Sequence, residues 1–411
     1  MDAEIDGERF RERFEAFGEI GATEAGGVSR PALSEANREA RDRLVAWFEE
    51  AGLDVTVDGM GNIFGRRAGE RDEPPVMVGS HVDSQHDGGR YDGVVGVLGG
   101  LEVVEALTDA GVTTRRPIEI AVWSNEEGVR FQPDLLGSGV FCGKFDREFA
   151  HSRTDDAGVT FEEELERIGY RGDTPCEPRD VHCYLELHVE QGPRLDDAGL
   201  SVAAVEGVFG FAWLEAAFEG RADHAGPTPM DSRRDALVGA SGVVGAVRRL
   251  TATGGSDLVG TVGSLDVDPN AVNVIPERVE FTVDLRSADD AVVDSAVERV
   301  RQEIRWAAER EGLDYECEQL VRVAATTFEE DPVETVVDAM AAAGYPEMRL
   351  TSGAGHDASY LARICPAAMV FVPSVDGISH RESEFTEWED VLAGTEVLLG
   401  AVRRKASEAP A

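Results

Sequence analysis

Apolar residues recur along the chain with two periods, and the switching between them predicts the architecture. After Ser34, Leu44, Val45 and Phe48 fall on one face of a helix that ends near Gly52. Short strands follow over 53–58 (LDVTVD) and 62–67 (NIFGRR). The apolar run VMVGS (76–80) reads as a buried strand; it leads into a polar, glycine-rich loop (81–93) and a helix over about 94–110. PIEIAVWS (117–124) is a second buried strand, and CYLELHVE (183–190) returns to the core after weakly patterned helix and loop over 150–180. Alternation of this kind predicts an α/β domain with a mixed central sheet.

The middle of the chain has a different order. FAWLEAAFEG (211–220) is a strand, Asp235 to Leu250 a helix, and LVGTVGSLDV (258–267) and RVEFTVDLRS (278–287) are strands. Val292, Val293, Ala296, Val297, Val300 and Ile304 mark one face of a helix over about 290–311, and 315–328 reads as one last strand. The order β-α-β-β-α-β is that of a ferredoxin-like unit. It predicts an inserted α+β domain over 213–327, with the first domain made of 1–212 and 328–411. After it come a helix from Pro332 to Ala343, a strand over 367–372 and a terminal helix from Glu387 to about Arg404.

Charge changes the picture most. The 411 residues carry 80 Asp plus Glu against 39 Lys plus Arg, a net charge of −41, and Lys144 and Lys405 are the only lysines. Such self-repulsion destabilises a compact chain in dilute buffer and is screened within about 3 Å in molar salt. The expectation is a protein of a salt-loaded cytoplasm. No basic patch invites nucleic acid, and no run of about 18 apolar residues predicts a membrane span. The opening MDAEIDGERFRERFEAF is acidic and helical in pattern, unlike a signal peptide. Cys142, Cys176, Cys183, Cys317 and Cys365 form no CxxC pair and read as buried thiols.

Four stretches carry candidate chemistry. In GSHVDSQHDGGRYDGVVGV (79–97), His81 follows a buried strand, Asp83 lies two residues on, and Asp92 precedes a helix. The carboxyl ends of strands are where open α/β sheets bind ligands, and Asp83 is placed to support the His81 ring. In WSNEEGVRF (123–131), Glu126 and Glu127 point to opposite sides of an extended segment, so one can bind metal while the other faces substrate as a base. LELHVEQGP (185–193) supplies His188, and SVDGISHRESEFT (374–386) supplies His380 beyond strand 367–372. His81, Asp92, Glu127, His188 and His380 make a set of three imidazoles and two carboxylates, suited to zinc, manganese or cobalt.

These stretches, with GRADHAGPTPM (220–230), resemble the dinuclear-metal amidases that include N-carbamoyl-L-amino-acid hydrolases, allantoate amidohydrolases and β-ureidopropionases, within the wider aminoacylase and carboxypeptidase superfamily. The likeness runs over roughly residues 10–405, and LELHVEQGP with GRADHAGPTPM points to the ureide-cleaving branch. The tripeptide Gln85-His86-Asp87 departs from that pattern, and His86 reads as a loop residue.

The resemblance implies two divalent ions per subunit, zinc or manganese or cobalt. Asp92 would bridge them, His81 and His188 complete one site, and Glu127 and His380 the other. Asp83 would orient His81, and Glu126 would be the general base. His224, on the inserted dimerisation or lid domain, would polarise the scissile carbonyl, commonly in the partner subunit of a homodimer. Gln191, Asn273 and Arg286 match positions that hold a substrate carboxylate, a natural partner for a guanidinium. Gly355 in GAGHDAS (353–359) matches a loop near the substrate backbone, and His356 beside it a supporting residue.

The activity implied is hydrolysis of a linear ureido C–N bond, first of all N-carbamoyl-L-amino acid to amino acid, carbon dioxide and ammonia. Allantoate amidohydrolase or β-ureidopropionase activity is the nearest rival, since those substrates also pair a ureido group with a carboxylate. An N-acyl hydrolase or peptidase fits less well, because His188 stands where those relatives have a carboxylate. A non-catalytic binding protein would lack a ligand or Glu126, and none is missing.

Overall fold

The computed structural model describes residues 3–252 and 257–409. Met1 and Asp2, which open the stretch read as helical and the first domain, lie outside the described residues, as do Ala411 and its neighbour, at the end of that domain, and 253–256 of the inserted stretch.

The chain divides into two compact units, one of residues up to 206 with those from 327 onward, the other of 207–326. The first begins with α1 (Gly7–Gly18) and α2 (Glu35–Glu50), the latter capped by the Ser34 side chain on the Asn37 amide. Then come β1 (Asp54–Val57), β2 (Ile63–Arg67), β3 (Val76–His81), α3 (Val94–Asp109) and β4 (Ile118–Trp123). Short helices α4 (Leu136–Phe141), α5 (Arg147–His151) and α6 (Phe161–Arg167) lead to β5 (Cys183–Val189), α7 (Arg194–Ala198) and β6 (Ala203–Val208).

The second unit holds β7 (Gly210–Glu219), α8 (Ala236–Ala252), β8 (Val259–Asp268), β9 (Arg278–Ser287), α9 (Asp290–Glu311) and β10 (Asp314–Val323). After β11 (Thr326–Thr327), the first unit resumes with α10 (Glu330–Ala343), β12 (Arg349–Ser352), α11 (Asp357–Leu361), β13 (Ala367–Val372) and α12 (Trp388–Ser407).

The larger sheet runs β1-β2-β4-β3-β5-β13-β6-β11, with β12 also on β6. Its four central strands, β4, β3, β5 and β13, are mutually parallel, and β2 and β6 join them antiparallel. Every residue of those four strands is buried, as parallel strands covered on both faces must be. Helix α12 packs on α3 and on α10; α3 lies against β3 and β5, α10 against β13, and α12 against both β5 and β13. α3 is buried almost all round, so its sequence is apolar on every side rather than striped.

The smaller sheet, β10-β7-β9-β8, is antiparallel throughout, and α8 and α9 pack on it. Its core gathers Phe218, Phe281, Val283, Leu285, Val297, Val300 and Ile304, each such side chain contributing about 1.5–3 kcal/mol by leaving water. β8 is an edge strand with Val259 and Leu265 exposed.

The structure departs from the sequence reading in three places. The single strand expected over 315–328 is two, β10 and β11. Pairing slips between Gln319 and Val321, and the Ala325 amide donates to the Asp290 carboxylate (2.9 Å). The strand expected from 211 starts at Gly210, and the unit boundary falls between 206 and 207 rather than at 213. β6 and β12 have no counterpart in the sequence reading; their Ala, Gly and Ser content gives neither alternation nor a β-branched run.

Candidate metal centre

Four neighbouring parallel strands deliver the candidate ligands from their carboxyl ends. His81 is the last residue of β3, Glu126 and Glu127 follow β4, His188 is next to last in β5, and His380 lies in the loop after β13. Asp92 reaches them from the turn before α3, whose entry is Gly93 at φ +67. A Cβ at Gly93 would stand 2.5 Å from His81 Nε2, so only glycine lets the loop pass this close.

Asp92 lies at the centre. Its Oδ1 is 3.1 Å from His188 Nε2 and 3.6 Å from His81 Nε2; its Oδ2 is 3.3 Å from His380 Nε2, which is 3.5 Å from Glu127 Oε2. His81, Asp92 and His188 thus form one ligand group, and Asp92, Glu127 and His380 a second. Glu126 Oε2 stands 3.4 Å from His81 Nε2, beside the first group.

The donor set fits cations, on one observation in particular. His81 Nδ1 is 2.9 Å from the Asp83 carbonyl, and His188 Nδ1 is 2.9 Å from the Val189 carbonyl. A carbonyl accepts only, so each Nδ1 holds its proton and each Nε2 turns a lone pair toward Asp92. His188 Nε2 is buried and has no hydrogen bond. Three ring nitrogens converging on one buried carboxylate call for positive charge between them, as protons or as bound cations.

Burial and the closeness of these groups shift their charges strongly. Burial raises Glu126 well above the usual carboxylate range despite His81, and burial with Asp92 raises Glu127 to about 7. Burial would raise Asp92 too, but His188, His380 and His81 together hold it well below the usual range. Burial would lower His81, yet Glu126 and Asp92 reverse this and raise it. The Asp92 bond lifts His380 to about 9.

The Asp83 carboxylate does not hold the His81 ring as expected. It lies 4.0 Å from Nδ1, which the Asp83 main-chain carbonyl engages instead. The carboxylate accepts the amides of Glu126 (3.3 Å) and Glu127 (3.2 Å), so it fixes the turn that presents both glutamates. Gln191, expected at the substrate, donates to Asp92 Oδ2 at 3.1 Å and lies 3.2 Å from His380 Nε2. His356 packs edge-on against His188, ring centroids 4.5 Å apart, and its Nε2 meets Ser352 Oγ at 2.9 Å. Gly355 lies in the same loop, its position facing Leu135.

His224, Asn273 and Arg286 belong to the second unit. There the Gly226 amide donates to His224 Nδ1 at 3.0 Å, and the Asn273 carbonyl accepts the Ala225 amide. The Arg286 guanidinium pairs with Asp284 at 2.8 Å.

Residues that escaped the sequence reading include Gln85, Glu384 and Glu186, the last grouped with His188 and His356. Gln85, from the tripeptide that looked out of place, donates its side-chain amide to Glu127 Oε2 (2.7 Å) and its main-chain N–H to Oε1 (3.2 Å). Glu384 is buried behind Asp92 and accepts its amide at 3.1 Å. The departure of Gln85 from the family pattern was its signal; Glu384 gave none.

Comparisons with known proteins identify the family. Residues 77–404 match the profile of peptidase family M20/M25/M40. A relative from Rhizobium meliloti named N-carbamoyl-L-amino-acid amidohydrolase is 41% identical over 399 residues, 97% of this chain and 96% of that protein. An Arabidopsis thaliana protein named ureidoglycolate hydrolase is 33% identical, covering 90% of this chain and 80% of its own length. A solved hydantoinase/carbamoylase-family amidase from Burkholderia multivorans superimposes with a TM-score of 0.96 at 48% identity, covering 99% of each chain. The chain therefore belongs to peptidase family M20/M25/M40, among its hydantoinase/carbamoylase-type amidases.

Proposed function

We propose that this chain is a metal-dependent amidohydrolase that cleaves the linear ureido C–N bond of N-carbamoyl-L-amino acids. The observation that carries the reading is Asp92. One of its oxygens faces His81 and His188 and the other faces His380 toward Glu127, which suits a carboxylate shared by two divalent cations. Zinc, manganese or cobalt there would supply Lewis acidity and bring the pKa of water from 15.7 toward about 7.

The chain's own residues supply the rest. Glu126 is not needed as a ligand in either group and is buried beside His81, so it is free to take a proton from water and pass it to the departing nitrogen. The Gly226 amide on Nδ1 leaves the proton of neutral His224 on Nε2, the tautomer that donates to a carbonyl oxygen. Arg286, held by Asp284, is assigned the substrate carboxylate with Asn273. Gln191 steadies Asp92 and His380. Hydrolysis of R–NH–CO–NH2 with one water gives R–NH2, carbon dioxide and ammonia.

Two further parts of the reading rest on surface and charge. The open edge of β8 and the exposed Leu237 and Val244 on α8 support a homodimer formed through the second unit. The net charge of −41 supports work in a salt-loaded cytoplasm. Among the described residues no helix is long and apolar enough to cross a membrane.

The test is hydrolysis by metal-loaded protein in molar potassium chloride, read as ammonia release from N-carbamoyl-L-amino acids, allantoate and ureidoglycolate and as free amino acid released from N-acetyl amino acids and dipeptides. N-carbamoyl-L-amino acids are expected to be the best substrates, with their carboxamides poor. Preference for ureidoglycolate would favour the second reading, suggested by the Arabidopsis relative. Cleavage of N-acetyl amino acids or dipeptides alone would refute both.

A further inference from the structure

Glu384 lies four residues beyond His380 and is 4% exposed. Its Oε1 accepts the amides of Tyr91 (3.2 Å) and Asp92 (3.1 Å), and its Oε2 accepts the Ser379 hydroxyl (2.7 Å). The loop from Gly89 to Asp92 wraps so tightly around this carboxylate that a Cβ at Gly89 would fall 2.0 Å from Oε1. The carboxylate therefore joins two loops that leave different strands. One follows β3 and carries Asp92; the other follows β13 and carries His380, and β5 runs between those strands.

Burying a carboxylate costs several kcal/mol unless it is well hydrogen-bonded, and an apolar side chain would fill the same space without that cost. What an apolar residue cannot do is receive two main-chain N–H groups and a hydroxyl at once. Asp92 and His380 are also joined by contacts that a bound cation would replace: Asp92 Oδ2 to His380 Nε2 at 3.3 Å, and Gln191 to both. Glu384 contacts neither ligand's donor atoms, so its hold on the two loops persists whether or not a cation is present.

We infer that Glu384 is a positioning residue, which sets the distance between the Asp92 and His380 donor atoms before a cation arrives. The inference rests on reading Asp92 and His380 as ligands.

The test is calorimetric titration of Mn2+ or Zn2+ into full-length protein stripped by chelation, for the parent, Glu384→Ala, Glu384→Gln and Ser379→Ala. Circular dichroism confirms that each is folded. Glu384→Ala is expected to bind the cation about 10–100-fold more weakly, the usual effect of losing a partner that orients ligands. Glu384→Gln should recover to within a few-fold of the parent, because its carbonyl oxygen still accepts both amides and its amide can donate to Ser379. A residue that acted only through its charge would not be rescued this way. Ser379→Ala should weaken binding several-fold.

Parental affinity in folded Glu384→Ala, or a Glu384→Gln as weak as the alanine variant, overturns the inference alone. If Glu384→Ala does not fold, Ser379→Ala decides: weakened binding supports the positioning role and parental affinity overturns it. A parent protein that binds no divalent cation overturns the metal-site reading itself, and the inference with it.

Discussion

Glu126 and Glu127 are adjacent in the chain and face different neighbours, because Asn125 turns at φ 56 and Asp83 anchors both amides. Glu127 looks toward His380 and Asp92, whereas Glu126 looks toward His81. Glu126→Gln is therefore expected to retain its cations while turnover falls about 10²–10⁴-fold, the usual worth of a general base. Elemental analysis beside kcat checks this, and near-parental turnover with metal bound would remove Glu126 from the role. At this scale the sequence was informative where a residue sits in a motif with its strand, as His81, Asp92, His188 and His380 do. It was silent on Glu384, whose partner Asp92 lies 292 residues away. It also misjudged Asp83: an H-x-D spacing cannot tell a carboxylate contact from one made by the same residue's carbonyl.

The elements that carry the ligands were legible because parallel strands covered on both faces are mostly apolar, and β3, β4, β5 and β13 are buried at every residue with few polar side chains among them. The β7-α8-β8-β9-α9-β10 order was legible from its change of period. What failed were strands defined by their partners. β6 and β12 consist of small or mixed residues that pair because β13 and its neighbours present an edge, and β10 stops where Asp290 takes the next amide. The surface of α8 leads to a test of assembly. Leu237 and Val244, seven residues apart, share one exposed stripe on the helix that packs over β8, the open edge. Leu237→Glu with Val244→Glu should leave the unit folded, since both side chains are already partly in water, and should convert a dimer to monomer in sedimentation velocity. A double variant that sediments as the parent does would exclude this face from the interface.

Charge acts on the whole molecule. With 80 acidic against 39 basic side chains, most of the excess has no partner to neutralise it. Lowering potassium chloride from 1 M to 0.1 M lengthens screening from about 3 to 10 Å, so carboxylates that ignored each other begin to repel. The melting temperature is expected to fall, by about 2–4 °C for each kcal/mol lost in domains of 150–250 residues. A melting temperature flat across that range would refute adaptation to salt. The same chain-wide view bears on how the sheet is assembled. β13 sits between β5 and β6, yet it is made only after the entire 207–326 unit has left the ribosome. At roughly 5–20 residues per second, β5, which is buried at every residue in the finished fold, waits on the order of ten seconds for its neighbour. During that interval the second unit, contiguous in sequence, can complete its own fold, while His380 does not yet exist. The half-built sheet has an open edge, the form most prone to pairing with another nascent chain, and although His81, Asp92 and His188 are already made, the second ligand group stays incomplete until His380 is synthesised.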